Sequence, residues 1–198
     1  MVEATPHAQV TKPGGRAPHN RRMHKSLLWA LSALALALSG CSPDLNWRQT
    51  GFEGSTFKAD LPCKPDRTTR QVPLGGMPVD LQVSGCESGT AMVAVMTAAL
   101  PSGSDANALL QGWQQATLAN VQAQDAQRQA WARPGMLPLP AAQRLSAQGR
   151  RADGQPVAVQ AVWGALVERD HVRLVHAAVY DRQVAPELAD TLFESLKP

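Results

Sequence analysis

The sequence predicts an α+β domain, a mostly antiparallel sheet of about six to seven strands layered with two main helices. Three observations carry this expectation. Gly75-Gly76 and Asp153-Gly154 separate apolar runs with tight-turn residues, so those strands join as hairpins and lie antiparallel. Residues 91–100 are apolar at every position but Thr97, so that strand has no wet face and needs cover on both sides. Residues 105–121 and 186–196 place apolar side chains at helical spacing, which supplies two covering layers.

From the N-terminus, residues 1–22 are polar and rich in Gly, Pro and Ala, a composition with too little apolar surface to fold. They read as a disordered or mis-annotated extension, with Met23 as the alternative start. Arg21-Arg22 would suit a twin-arginine export signal, but the bulky apolar residue expected after the pair is missing. Arg21-Arg22-Met23-His24-Lys25 then gives way to a 13-residue apolar run, residues 26–38, and to small residues. That order is the layout of an export signal, and the run falls short of the roughly 20 residues a bilayer span needs. Leu38-Ser39-Gly40-Cys41 resembles the lipobox of bacterial lipoproteins. The resemblance implies cleavage before Cys41, acylation of Cys41, and attachment to a membrane of the cell envelope through the acyl chains. Ser42, rather than Asp, at the next position implies the outer membrane, with the domain facing the periplasm. Residues 23–40 are then a signal peptide, 41–55 a tether broken by Pro43, Gly51 and Gly54, and 56–198 a single domain. Trp47 and Phe52 are the tether's large apolar groups, placed either back on the domain or at the lipid interface.

The chain carries 19 Lys and Arg against 16 Asp and Glu, a net of +3. Five of those bases and one acid lie in residues 1–40, so the remaining 158 residues hold 14 bases and 15 acids, a net of −1. Bulk charge therefore gives no basis for nucleic-acid binding. With Cys41 acylated, Cys63 and Cys86 remain, and an even remainder in an oxidising compartment predicts a disulfide, with two free buried thiols as the alternative. Two thiolates without further ligands predict no metal site, and no cofactor motif is present.

Residues 56–61, 67–74 and 78–86 predict three strands of an up-down-up meander. That order sets Cys63 and Cys86 at the same end but two strands apart, so the strand ends must converge for a bridge. Residues 90–100 follow as the strand without a wet face. Residues 105–121 predict a helix capped by Ser104 or Asp105, with Leu109, Leu110, Trp113, Thr117 and Val121 on one side. Residues 122–133 either prolong that helix or leave it as an excursion, and Pro134, Pro138 and Pro140 predict an extended segment after it. Trp131 beside that segment is either cover for a sheet edge or the rim of a groove. Residues 141–151 and 156–167 predict a hairpin and 172–180 the last strand, where His176 faces with Leu174 and Tyr180 as a core or edge residue. Glu168-Arg169-Asp170-His171 reads as a charged turn. Pro186 opens the closing helix, whose stripe is Leu188, Ala189, Leu192, Phe193 and Leu196.

Four strands, a helix, three strands and a helix, with Phe57 to Pro62 at the start and Leu192-Phe193-Glu194-Ser195-Leu196 near the end, resemble the Mog1/PsbP-like fold over residues 56–197. The resemblance implies a binding or assembly-accessory role more than a catalytic one. No Gly-rich phosphate loop, His-Glu-x-x-His, Cys-x-x-Cys or Gly-x-Ser-x-Gly occurs, so the residues nominate no catalytic group. The expectation is a non-catalytic, lipid-anchored interaction module with an envelope protein as partner. The alternatives are a binder of a small apolar ligand or lipid in a groove near Trp131, and an enzyme of unknown class.

Overall fold

The computed structural model describes residues 45–198, and Cys41 lies outside them. Nine strands and two helices follow in order. β1 (Arg48–Gly51) and β2 (Lys58–Leu61) pair antiparallel as a separate hairpin. The main sheet holds β3 (Asp66–Leu74), β4 (Met77–Ser88), β5 (Ala91–Ala99), β6 (Ala126–Ala130), β7 (Gln143–Arg150), β8 (Pro156–Glu168) and β9 (His171–Asp181). Its strand order is β3-β4-β5-β9-β8-β7-β6, and every neighbouring pair is antiparallel. Helix α1 (Ala106–Asn120) joins β5 to β6, and α2 (Pro186–Glu194) follows β9.

The central strands β5, β9 and β8 are apolar on both faces, and each face has its own core. On one face Leu109 and Leu110 of α1 pack on Leu145, Val159, Trp163 and Leu174. On the other, Leu192 and Phe193 of α2 pack with Val93, Val95, Val162 and Val179. Phe52, Phe57 and Leu61 bring the β1–β2 hairpin into that second core. Each such side chain contributes roughly 1.5–3 kcal/mol by leaving water. Asp105 caps α1 by accepting a hydrogen bond from the Ala108 N–H at 3.0 Å. Gly75 and Gly76 take positive φ, 60° and 82°, which the tight β3–β4 turn requires and glycine adopts without strain.

Three expectations are corrected. Residues 48–51 are β1 rather than tether, while Phe52 takes the first of its two expected places, back on the domain, buried against Phe57 with ring centroids 5.6 Å apart. β2 does not join a meander with β3; it pairs with β1 and, through Lys58, with Lys197. Residues 126–130 form edge strand β6 instead of prolonging α1. Nearly all of β6 is exposed, so burial imposes no alternation that a sequence pattern could reveal.

The Cys63–Cys86 disulfide is present, with Cα atoms 6.0 Å apart. Cys63 lies three residues before Asp66, which pairs with Gly85, so it approaches β4 from the adjoining strand. The convergence of strands two apart is therefore not needed. Replacing both cysteines by Ser should cost about 3 kcal/mol in the chain-entropy account, read as a lower denaturant midpoint against the oxidised protein. A midpoint unchanged within error would show that the bridge constrains nothing.

A second weak point lies where α1 ends. The Arg150 N–H donates to the Val121 carbonyl at 2.6 Å, and a side chain at Gly149 would collide with that carbonyl. Gly149→Ala should destabilise by about 1–3 kcal/mol, as overpacking against backbone does, and chemical denaturation measures it directly.

Candidate functional site

Helix α2 is short and covers only part of its face of the sheet. Beyond it, toward β6, that face is open. Directly paired residues share a face, so Gln127, Ser146 and Gln160 form one row across β6, β7 and β8, and Gln148 sits beside Ala158 in the next. These residues line a groove of about 1030 Å³, whose walls also include Gln122, Gln124 and Gln183. Six of the lining side chains are thus glutamines, and Arg150 and Asp125 are its charges of opposite sign. The lining is a neutral array of hydrogen-bond donors and acceptors, with no aromatic ring in it. Arg144 ties α2 to this part of the sheet. It bonds Asp190 at 2.6 Å, donates to the Gln160 carboxamide oxygen, and stacks its guanidinium 5.1 Å over Phe193.

The residues singled out in the sequence do not converge on this groove. Cys41 lies outside the described residues, and Cys63 and Cys86 are joined at the β4 side of the sheet. Trp131 is half-buried and packs over β8, where a Cβ on Gly164 would come within 2.9 Å of its Cζ3 and 2.8 Å of Met136 Sδ. The ring covers a glycine in mid-strand, and Trp131 lines neither this groove nor the smaller hollow of about 280 Å³ between the loop after β1 and strands β3 and β4. Among the described residues no group of three or more His, Cys, Asp or Glu is placed to hold a metal ion. No helix among them is long and apolar enough to cross a membrane.

Two buried polar clusters hold polar side chains inside the domain. Arg173 Nε donates to Glu168 Oε2 at 2.6 Å, and its Nη1 to Thr97 Oγ1 at 3.3 Å. The other carboxylate oxygen accepts from the Ser55 hydroxyl and from the Thr56 N–H at 3.0 Å. The supposed charged turn therefore contributes a carboxylate to the interior, where it holds the β1–β2 loop. Burial pushes the Glu168 carboxyl up, but the hydrogen bonds from Ser55 and Arg173, the Arg173 charge and the Thr56 N–H outweigh it and hold the group below its ordinary range.

The second cluster is His176, buried between two indoles. Its ring stacks on Trp163 at 4.3 Å and 9°, and meets Trp113 edge-on at 5.2 Å. Its Nδ1 lies 3.1 Å from the Val162 carbonyl, which only accepts, so Nδ1 carries the proton. Burial lowers the pKa from 6.5 to about 4, against a smaller raising effect of the Val162 bond. Trp113 and His176 are thus core residues, as their positions in the sequence suggested.

No family model matches the chain, and no curated protein matches it. The groove therefore rests on its own geometry.

His176 makes stability depend on pH with a definite sign. Its folded pKa is depressed, so between about pH 6.5 and 4 the unfolded chain binds the extra proton and stability falls as pH falls. The loss should reach about 2 kcal/mol at pH 5 relative to pH 7.5. Glu168 adds a further loss below its ordinary value of 4.5, in the same direction. His176→Phe, which keeps the stack, should flatten urea midpoints between pH 7.5 and 5. A variant as acid-sensitive as the parent would place the titration elsewhere.

Proposed function

We propose that this chain is a lipid-anchored module of the bacterial cell envelope that binds a partner and catalyses no reaction. The observation that carries the reading is the order in the sequence: a basic cluster, a 13-residue apolar run, and Leu38-Ser39-Gly40-Cys41. Acylation at Cys41 with more than one chain gives stable anchoring, because a single chain binds only marginally. The Cys63–Cys86 bridge supports the same location, since such bonds persist in oxidising compartments. Ser42 after the cysteine supports the outer membrane, with the domain toward the periplasm. An open groove of uncharged carboxamides suits reversible contact with a polar partner.

The finer proposal is a Mog1/PsbP-like domain with an assembly-accessory role. A predominantly antiparallel sheet with one helix on each face supports it. Strands β1 and β6 exceed the seven strands on which the resemblance rests. Function does not follow from the fold, and the binding reading rests on the anchor and the groove.

Intact mass of the protein extracted from membranes tests the anchor. The expected mass starts at Cys41 and includes acyl chains, and Cys63 and Cys86 should be alkylated only after reduction. Cys41→Ala should lose the acyl mass entirely. An unacylated parent mass that still includes Met23 would overturn the proposal.

A further inference from the structure

The sheet ends at β6, and β6 leaves hydrogen bonds unmade. The Trp131 N–H donates to the Ala142 carbonyl at 2.9 Å, so the backbone groups of Gln127 and Gln129 turn inward to β7. By strand alternation Ala126, Arg128 and Ala130 turn theirs to the open edge. Residues 127–130 are exposed. Edges of this kind take up an added strand unless something blocks them. The opposite edge, β3, is engaged: Pro73 has no N–H to offer an added strand, and Arg67 bonds Thr50 of β1 at 2.6 Å. β6 carries one charge, Arg128, which has no ion-pair partner among the described residues.

We infer that β6 and the glutamine groove beside it bind an extended segment of another envelope protein as an eighth strand, with an acidic side chain set opposite Arg128. This deepens the binding-module reading and rests on it. Three features select the occupant. The edge supplies main-chain donors and acceptors in a row, which a peptide matches and a sugar does not. On the groove face Gln127 and Gln129 of β6 offer carboxamides to the alternate side chains of the added strand without stripping water from a charge. A second copy of this chain is disfavoured, because antiparallel pairing of β6 with itself about its centre sets Arg128 against Arg128.

A random heptapeptide display library panned on the full-length protein in detergent, followed by hydrogen exchange with the selected peptides, tests this. The expected result is enrichment of proline-free peptides with a central Asp or Glu, which slow exchange across residues 126–130. Ala130→Pro removes an outward N–H and no ladder bond, so it should weaken the selected peptides at least tenfold. Arg128→Glu, at an exposed position, should switch the selected central residue to Lys or Arg. Parent-like binding by Ala130→Pro, an unchanged selection by Arg128→Glu, or no enrichment at all would overturn the site. Protection of β3 in place of β6 would overturn it too, while leaving a binding module in place. The anchor is read separately, by mass, so the two failures are distinguishable.

Discussion

A sheet whose central strands have no wet face has to be covered twice. β5, β9 and β8 point Val93, Val175 and Val162 one way and Ala98, Leu174 and Ala165 the other. Seven strands span about 29 Å at the usual spacing. Helix α1, with 15 residues, is about 22 Å long and comes close to that width. Helix α2 has nine residues, about 14 Å, and packs on β9 and β8. The β1–β2 hairpin, with Phe52, Phe57 and Leu61, and the segment after β6, with Trp131 and Met136, supply the rest of the apolar cover. What these elements do not reach, over β6 and β7 and the start of β8, is wet, and its side chains are accordingly Gln127, Ser146, Gln148 and Gln160. The groove is thus the part of the face that the cover does not extend to.

The hairpin in this cover cannot stand alone, since an isolated two-stranded ribbon is marginal in water. Its restraints come from three directions. Glu168 and Arg173 grip its loop through Ser55, Thr56 and the Gly54 carbonyl. Lys197 pairs with Lys58, and the Asp60 N–H donates to Ser195 Oγ at 2.9 Å. The disulfide fixes the chain just after β2. A buried ion pair adds little over an apolar pair, but losing one partner strands a charge and costs roughly 3–5 kcal/mol. Glu168 and Arg173 therefore act less as a source of stability than as a constraint on where the hairpin sits.

Much of the architecture was legible because burial writes a pattern. The runs that became β5, β8 and β9, the α1 stripe ending at Val121 and the α2 stripe through Phe193 all lie against the core, the strands showing as unbroken apolar runs and the helices by their period. The cysteine pairing followed from counting. Elements that touch little core were not legible. β1 buries Thr50 alone, and β6 has no buried residue, so neither imposes alternation. Glu168 read as part of a charged turn because its partner, the loop at Ser55, is more than 110 residues away. The groove escaped notice because its glutamines come from four separate stretches and form no spacing. Trp131 attracted attention as an aromatic beside prolines, yet the signal for its role was Gly164, the gap in β8 that its ring fills.

One wall of the groove carries a cost that packing does not explain. The residue after a helix C-cap is commonly glycine, because the left-handed conformation there crowds a Cβ. This chain has Gln122 at that position, with φ of 51°, and a glycine stands on the facing strand, where Gly149 lies against the Val121 carbonyl and the Ala123 nitrogen. Gly149 lets the end of α1 press onto the β7–β8 hairpin, and the Arg150 N–H locks the Val121 carbonyl there. That contact fixes the direction in which the chain leaves the helix, and so fixes Gln122 as groove lining. Glycine at 122 would relieve roughly 1 kcal/mol of backbone strain and remove a carboxamide from the wall. The strain and the lining thus meet at one residue, where stability alone favours the smaller side chain and the chemistry of the groove favours the one present.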